Sequence, residues 1–184
     1  PGHGTREAGG LPEVFIGCGV AIRREAFMDA GGYDASFGYY AEEYDLAARL
    51  LMAGGRVALD RRFKVEHHKV GEGRDFDTIV QRLVRNNAWV AQRYAPQAER
   101  AREICVVFER YRGIARRERA EAGYALGVSE AAHTLWQQAR APMDDAAWAR
   151  FTGLAEARRS LDAAWRDAPF RTAALIGEGK NAGR

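Results

Sequence analysis

The sequence predicts an α/β fold: a partial half-domain made of a short mixed sheet with flanking helices over residues 13–96, then an all-α C-terminal extension over 97–184. Three observations predict it. Strand-like apolar runs occur at Val14-Phe15-Ile16 and Val20-Ala21-Ile22, and alternation returns from Val57 to His67. Between them Leu46 and Leu50 recur four apart beside Ala47, Leu51 and Ala53, the stripe of an amphipathic helix. Beyond Pro96 the periodic stretches are all helical, with Ile104, Val107, Phe108 and Tyr111 first among them.

Taken in order, residues 1–12 hold Gly2, Gly4, Gly9 and Gly10 without periodicity, so a flexible N-terminal loop is expected. A first residue of proline rather than methionine suggests an excerpt or a processed product. Gly17-Cys18-Gly19 interrupts the first strand-like run, as at a bulge or a close backbone approach. Residues Arg23 to Ala30 form a helix of about two turns, closed by Gly31-Gly32. Tyr33 to Gly38 is an aromatic-rich loop, and the helix that follows ends at Gly54-Gly55. In the next alternating stretch His67 shares a face with Phe63 and Val65 while His68 points the other way. Phe76 to Tyr94 is helical, with Val80, Leu83, Val84, Asn87, Val90, Ala91 and Tyr94 on one face, and Pro96 stops it. In the extension, Ser129-Glu130 is expected to start one helix and another to run from about Asp144 to Asp167.

Composition bounds the function. With 47% hydrophobic and 29% charged residues the chain is globular rather than disordered. No run approaches a membrane span, and the start has no signal-peptide core. Cys18 and Cys105 lie far apart without CxxC spacing, so neither a disulfide framework nor a zinc site is signalled, and a cytoplasmic location fits, with at most peripheral contact at the inner face of the plasma membrane. The net charge of +3 demands no polyanionic partner. Three of the 28 basic residues are lysines, so the charge is carried by arginine.

The acidic stretch Tyr39-Tyr40-Ala41-Glu42-Glu43-Tyr44-Asp45 is the candidate active site. Glu42 and Glu43 fall at the first turn of a helix, where unpaired N–H groups and the helix dipole favour negative charge. Adjacent carboxylates behind two aromatics raise one another's pKa, which is how a general base is prepared. Asp45 and Arg49 sit four apart and can pair.

Residues 14–96 resemble the C-terminal half of an inverting family 2 glycosyltransferase of the GT-A fold. The ordered set is Gly17-Cys18-Gly19-Val20-Ala21-Ile22-Arg23-Arg24-Glu25-Ala26-Phe27, Gly31-Gly32-Tyr33-Asp34, Tyr40-Ala41-Glu42-Glu43-Tyr44-Asp45-Leu46 with Arg49, Gly55, Val65-Glu66-His67, and Arg85-Asn86. The resemblance implies transfer of a sugar from a nucleotide-sugar donor to an acceptor hydroxyl on a glycan, a lipid carrier or a small molecule. It implies Glu43 as base, with Glu42 or Asp45 able to share the role, and Gly17, Cys18, Gly19 and Tyr40 on the acceptor side. It further implies a divalent cation, Mn2+ or Mg2+, with His67 as ligand and His68 as fallback. The family's nucleotide-binding half is not matched by any segment before Val14, so the isolated chain is expected to be inactive and to need a separate N-terminal half. The alternative is a non-catalytic module derived from such an enzyme, with a helical tail that docks a partner or a membrane. A weak likeness of residues 123–132 to a helix-turn-helix turn carries a poor phosphate footprint, and no nucleic-acid partner is expected.

Overall fold

The computed structural model describes residues 13–15, 17–58, 60, 62, 64–66 and 73–172, and the backbone alone at Cys18. Among the described residues there are seven α-helices: α1 (Arg24–Asp29), α2 (Glu42–Met52), α3 (Phe76–Tyr94), α4 (Arg100–Glu118), α5 (Glu121–Thr134), α6 (Asp145–Phe151) and α7 (Leu154–Asp167). Short 3-10 turns lie at Gly17–Gly19, Ala35–Phe37 and Leu135–Gln137. There is no strand among the described residues, which overturns the α/β expectation. The physical reason is the lack of a neighbour: an extended segment is stabilised only when another satisfies its N–H and C=O groups, and no such pairing forms among the described residues. Of the alternating residues, Val20, Ile22 and Val57 still face inward and pack against the core without a ladder, whereas Val65 is exposed. Leu59, Phe63, His67 and His68 lie outside the described residues.

The three central helices begin and end where the sequence says they should. Gly31 and Gly32 take positive φ after α1, and Gly32 N–H bonds Phe27 C=O at 2.9 Å. Gly54 does the same after α2, where Gly55 N–H reaches Leu50 C=O at 2.8 Å. The Asp75 carboxylate caps α3 by accepting from the Thr78 N–H at 3.2 Å, and Pro96 follows its end.

Helix α3 is the spine. Its C-terminal half gives Trp89, Val90 and Tyr94 to a core shared with Phe37, Leu46, Ala47, Leu51, Met143, Trp148 and Phe151. Its N-terminal half gives Val80 and Val84 to a second core with Tyr111, Ala115 and Ala120. Each of the two cores draws residues from both sides of position 96. Two backbone bonds fasten the chain after α5 to the end of α3, Ala141 N–H to Arg93 C=O and Met143 N–H to Tyr94 C=O, each 2.9 Å. At the other end Arg150 on α6 clasps Glu13 in a two-pronged pair at 2.9 and 2.6 Å.

Two expectations for the extension change. Residues 121–134 are one continuous helix, so neither a turn at Gly127 nor a helix start at Ser129 is present. Gly123, Gly127 and Ala131, four apart, turn their small side toward α3, and a Cβ at Gly123 would overlap the Asp77 backbone. The glycines thus serve close helix packing rather than a break. Conversely, the single helix expected from Asp144 to Asp167 is divided at Gly153, whose φ of 78° ends α6 and starts α7. The Asp144 carboxylate caps α6 through the Ala147 N–H at 2.7 Å. No helix among the described residues is long and apolar enough to cross a membrane.

Candidate functional site

The acidic turn is built by α3. Phe37, fully buried, plugs the core edge-on to Trp89 at 5.6 Å and fixes the loop before the turn. The chain then passes through Tyr40 and Ala41 with φ of 72° and 65°, two successive left-handed residues that are not glycine. Each such residue costs of order 1 kcal/mol or more, so something must hold the pair. Asn86, fully buried on α3, donates its side-chain amide to the carbonyls of Phe37 and Tyr39 at 3.0 Å and of Tyr40 at 2.7 Å. Arg85 donates to the Asn86 Oδ1 at 2.9 Å, which fixes the amide orientation. Arg85 itself is held by Glu130 at 3.3 Å and lies over the Trp89 ring at 4.6 Å. Arg85-Asn86, quoted above only as part of a resemblance, is therefore the clamp on the turn.

The turn launches α2 with its three acids in three different settings. Asp45 is fully buried and accepts from Arg49 at 2.6 and 3.0 Å, Arg93 at 2.8 Å and Tyr94 at 2.6 Å. Arg49 also donates to the carbonyls of Ala30 and Gly32, and Arg93 to Asp34 at 2.8 Å. Burial at Asp34 is outweighed by hydrogen bonds from the Ser36 side chain, the Arg93 guanidinium and the Ser36 amide, together with the Arg93 charge, and its carboxyl is held down at about 2. Burial, then the charge and hydrogen bond of Asp45, push the Tyr94 hydroxyl up. Asp45 thus joins α2 to α1, to the loop before the turn and to α3, with both oxygens committed.

Glu43 is partly buried and its Oε1 accepts the Gly17 N–H at 3.2 Å. A Cβ at Gly17 would lie 3.1 Å from that oxygen, so a larger residue here requires the Glu43 carboxylate to give by a few tenths of an ångström. The 3-10 turn Gly17–Gly19 therefore meets the acids directly, bringing together parts of the sequence 26 residues apart. Glu42 differs again. Its Oε2 is buried with no hydrogen-bond partner among the described residues. Burial, opposed by its own backbone N–H and reinforced by the Glu43 charge, raises its pKa.

Around these acids stand phenols. Burial and the charges of Glu43 and Glu42 raise the pKa of Tyr33. Burial and Tyr39 raise that of Tyr40, against Arg74 and Arg82, with Glu42 adding to the rise. Tyr39 and Tyr40 pack edge to face at 4.6 Å, and Tyr39 is largely exposed. The face thus combines two carboxyl groups, hydroxyl donors that stay protonated at neutral pH, and exposed aromatic rings. It is equipped to accept a proton and to bind a polyhydroxylated molecule.

Of the residues singled out from sequence, Gly17, Tyr40, Glu42 and Glu43 come together, and Asp45 lies behind them in the interior network. The Cys18 side chain, His67 and His68 lie outside the described residues. Among the described residues no three His, Cys, Asp or Glu side chains gather to hold a metal ion. Sequence reading missed Tyr33, Arg93 and the clamp role of Asn86, which stands beside the apolar face of its helix and not on it. No family model matches the chain, and no curated protein or solved structure matches it either.

Proposed function

We propose that the acidic turn is the proton-accepting, acceptor-side site of an inverting glycosyl transfer. The observation that carries the reading is the pair Glu42 and Glu43: one carboxylate anchored to the Gly17 N–H, its neighbour with a buried, unpartnered oxygen and a raised pKa. In this reading an acceptor hydroxyl lies against the pair beside Tyr40, and Glu43 takes its proton, with Glu42 as the second carboxyl able to do so. The freed oxygen pair forms the new bond to the anomeric carbon of a nucleotide-activated sugar. The old C–O bond breaks and its electrons leave with the nucleoside diphosphate. A divalent cation would offset the charge on that leaving group. The described residues do not make up a site for it, so no step is assigned to it. Donor binding belongs to residues or a chain beyond those described, and a cytoplasmic setting with at most peripheral membrane contact goes with the proposal.

The all-helical architecture favours a second reading, a non-catalytic module that keeps the turn as a binding surface and uses its helices for docking. One experiment separates the two. The chain is titrated calorimetrically with UDP-, GDP- and dTDP-sugars with manganese, then assayed for transfer together with any segment that restores donor binding. In the restored enzyme Glu43→Gln is expected to reduce turnover by about 10²- to 10⁴-fold with the fold intact. Normal turnover in that variant removes Glu43 from the role, and failure of every combination to bind a nucleotide-sugar leaves the docking module.

A further inference from the structure

A second polar anomaly lies in a different part of the molecule. A cleft of about 70 Å³ opens between α3, α4 and α6, walled by Val90, Val107, Tyr111, Trp148 and Phe151. Arg110 lines it, and the Arg110 Nε is buried without a hydrogen-bond partner among the described residues. A guanidinium keeps its charge at any pH a protein meets, so this N–H cannot be relieved by losing its proton. A buried donor of that kind is expensive to leave unmatched and marks a place where an acceptor belongs.

The surroundings say which acceptor. Burial pushes the adjacent Tyr111 hydroxyl up to about 12, so it remains a donor at neutral pH. Thr152 already gives its hydroxyl proton to the Trp148 carbonyl at 2.8 Å, and Asn87 gives its amide to Leu83 at 2.8 Å. Glu103, buried on the same wall seven residues before Arg110, has an interaction of its own and lies about two helical turns away. A single unmatched guanidinium N–H in a small, largely apolar cleft suits a singly charged head group better than phosphate, whose further charge would be buried without a partner. The remaining wall is aliphatic and aromatic, and the volume admits about two water-sized groups, enough for a head group and its first carbons.

We propose that this cleft binds the end of a small monocarboxylate, its head group on the Arg110 Nε–H and its stem between Val107, Tyr111, Trp148 and Phe151. Carboxylate and guanidinium form a charge-assisted hydrogen bond, strengthened where water is excluded. The stem supplies apolar contact but too few atoms for tight binding, so a dissociation constant of about 1–10 mM is expected for a four-carbon acid.

The test titrates the full chain with sodium butyrate, butyramide and inorganic phosphate, followed by calorimetry and by the fluorescence of the cleft tryptophan. Saturable butyrate binding is expected, at least about tenfold weaker for butyramide and for phosphate, and at least about tenfold weaker in Arg110→Gln. Val107→Phe, which fills the cleft from its wall, is expected to abolish it. No saturation with butyrate at about 50 mM, well above the expected range, overturns the proposal. So does equal binding of butyramide or phosphate, or undiminished binding by a folded Arg110→Gln chain. Should either variant fail to fold, the three ligands on the unaltered chain still decide.

Discussion

Replacing Asp45 by alanine tests whether this carboxylate organises the fold. Its side chain is fully buried, and its oxygens accept four hydrogen bonds from Arg49, Arg93 and Tyr94. Removing one member of a buried ion network costs about 3–5 kcal/mol, because the remaining members stay desolvated without compensation. Two features place the expectation at the lower end. The Arg49 and Arg93 side chains keep 26% and 16% exposure, so water can reach them, and Arg93 retains Asp34 as a second acceptor. The loss is therefore about 3 kcal/mol. With a urea slope of about 2 kcal/mol/M, the unfolding midpoint falls by about 1.5 M. Circular dichroism and tryptophan fluorescence, followed through the same urea titration, measure it. Asp45→Asn keeps the shape but sets amide hydrogens against arginine, so it is expected to lose nearly as much. A midpoint drop under about 0.5 M in both variants, less than about 1 kcal/mol, would show that the network is a surface-like pair and refute the reasoning.

Asn86→Ala removes the donor to three carbonyls of the left-handed turn; a loss of about 2–3 kcal/mol is expected, together with faster hydrogen exchange at residues 39–45, and unchanged exchange there would contradict the clamp. Glu42 has a folded pKa above its unfolded value near 4.3, so the folded state holds the proton more tightly and ionisation costs stability as pH rises past the unfolded value. Glu42→Gln is accordingly expected to stabilise the chain at pH 7, with the advantage shrinking toward pH 4; urea titrations at both values measure it, and a destabilised variant at pH 7 would show that Glu42 has a partner. Gly123→Ala is expected to cost about 1–3 kcal/mol by forcing α5 off α3, whereas Gly113→Ala on exposed α4, where a Cβ meets nothing within 4 Å, is expected to stabilise by about 0.5–1 kcal/mol; equal effects on thermal unfolding would refute the packing account.

Local chemistry was legible and distant pairing was not. The stripe of α2, its closure at Gly54 and the Asp45–Arg49 pair all depend on residues within a few positions of one another, and sequence reading finds them. The expected sheet depended on partners that periodicity cannot supply. Val20, Ile22 and Val57 satisfy the same alternation by packing on helices, because inward-facing apolar residues need a core and not specifically a strand. The helix start expected at Ser129 misled in the opposite sense. The helix runs straight through Gly127, whose missing side chain lets two helices touch, and only the neighbouring helix reveals that.

The acidic turn shows how far a local motif can be separated from the fold that suggested it. Its acids were found because they are adjacent, but their roles diverge through contacts 26 to 49 residues away: Gly17 for Glu43, and Arg93 and Tyr94 for Asp45. None of those contacts needs a sheet. Asn86 and Arg85 hold the left-handed residues from a helix, so the geometry of the carboxyl pair is fixed by α3 alone on one side and by the Gly17 turn on the other. The loss of the expected sheet therefore removes the architectural support for a glycosyltransferase without dismantling the Glu42–Glu43 carboxyl pair. The chemistry proposed for Glu42 and Glu43 stands or falls on whether an acceptor hydroxyl and an activated sugar reach that face. Asp45, which carries the same motif, is spent on holding the face together.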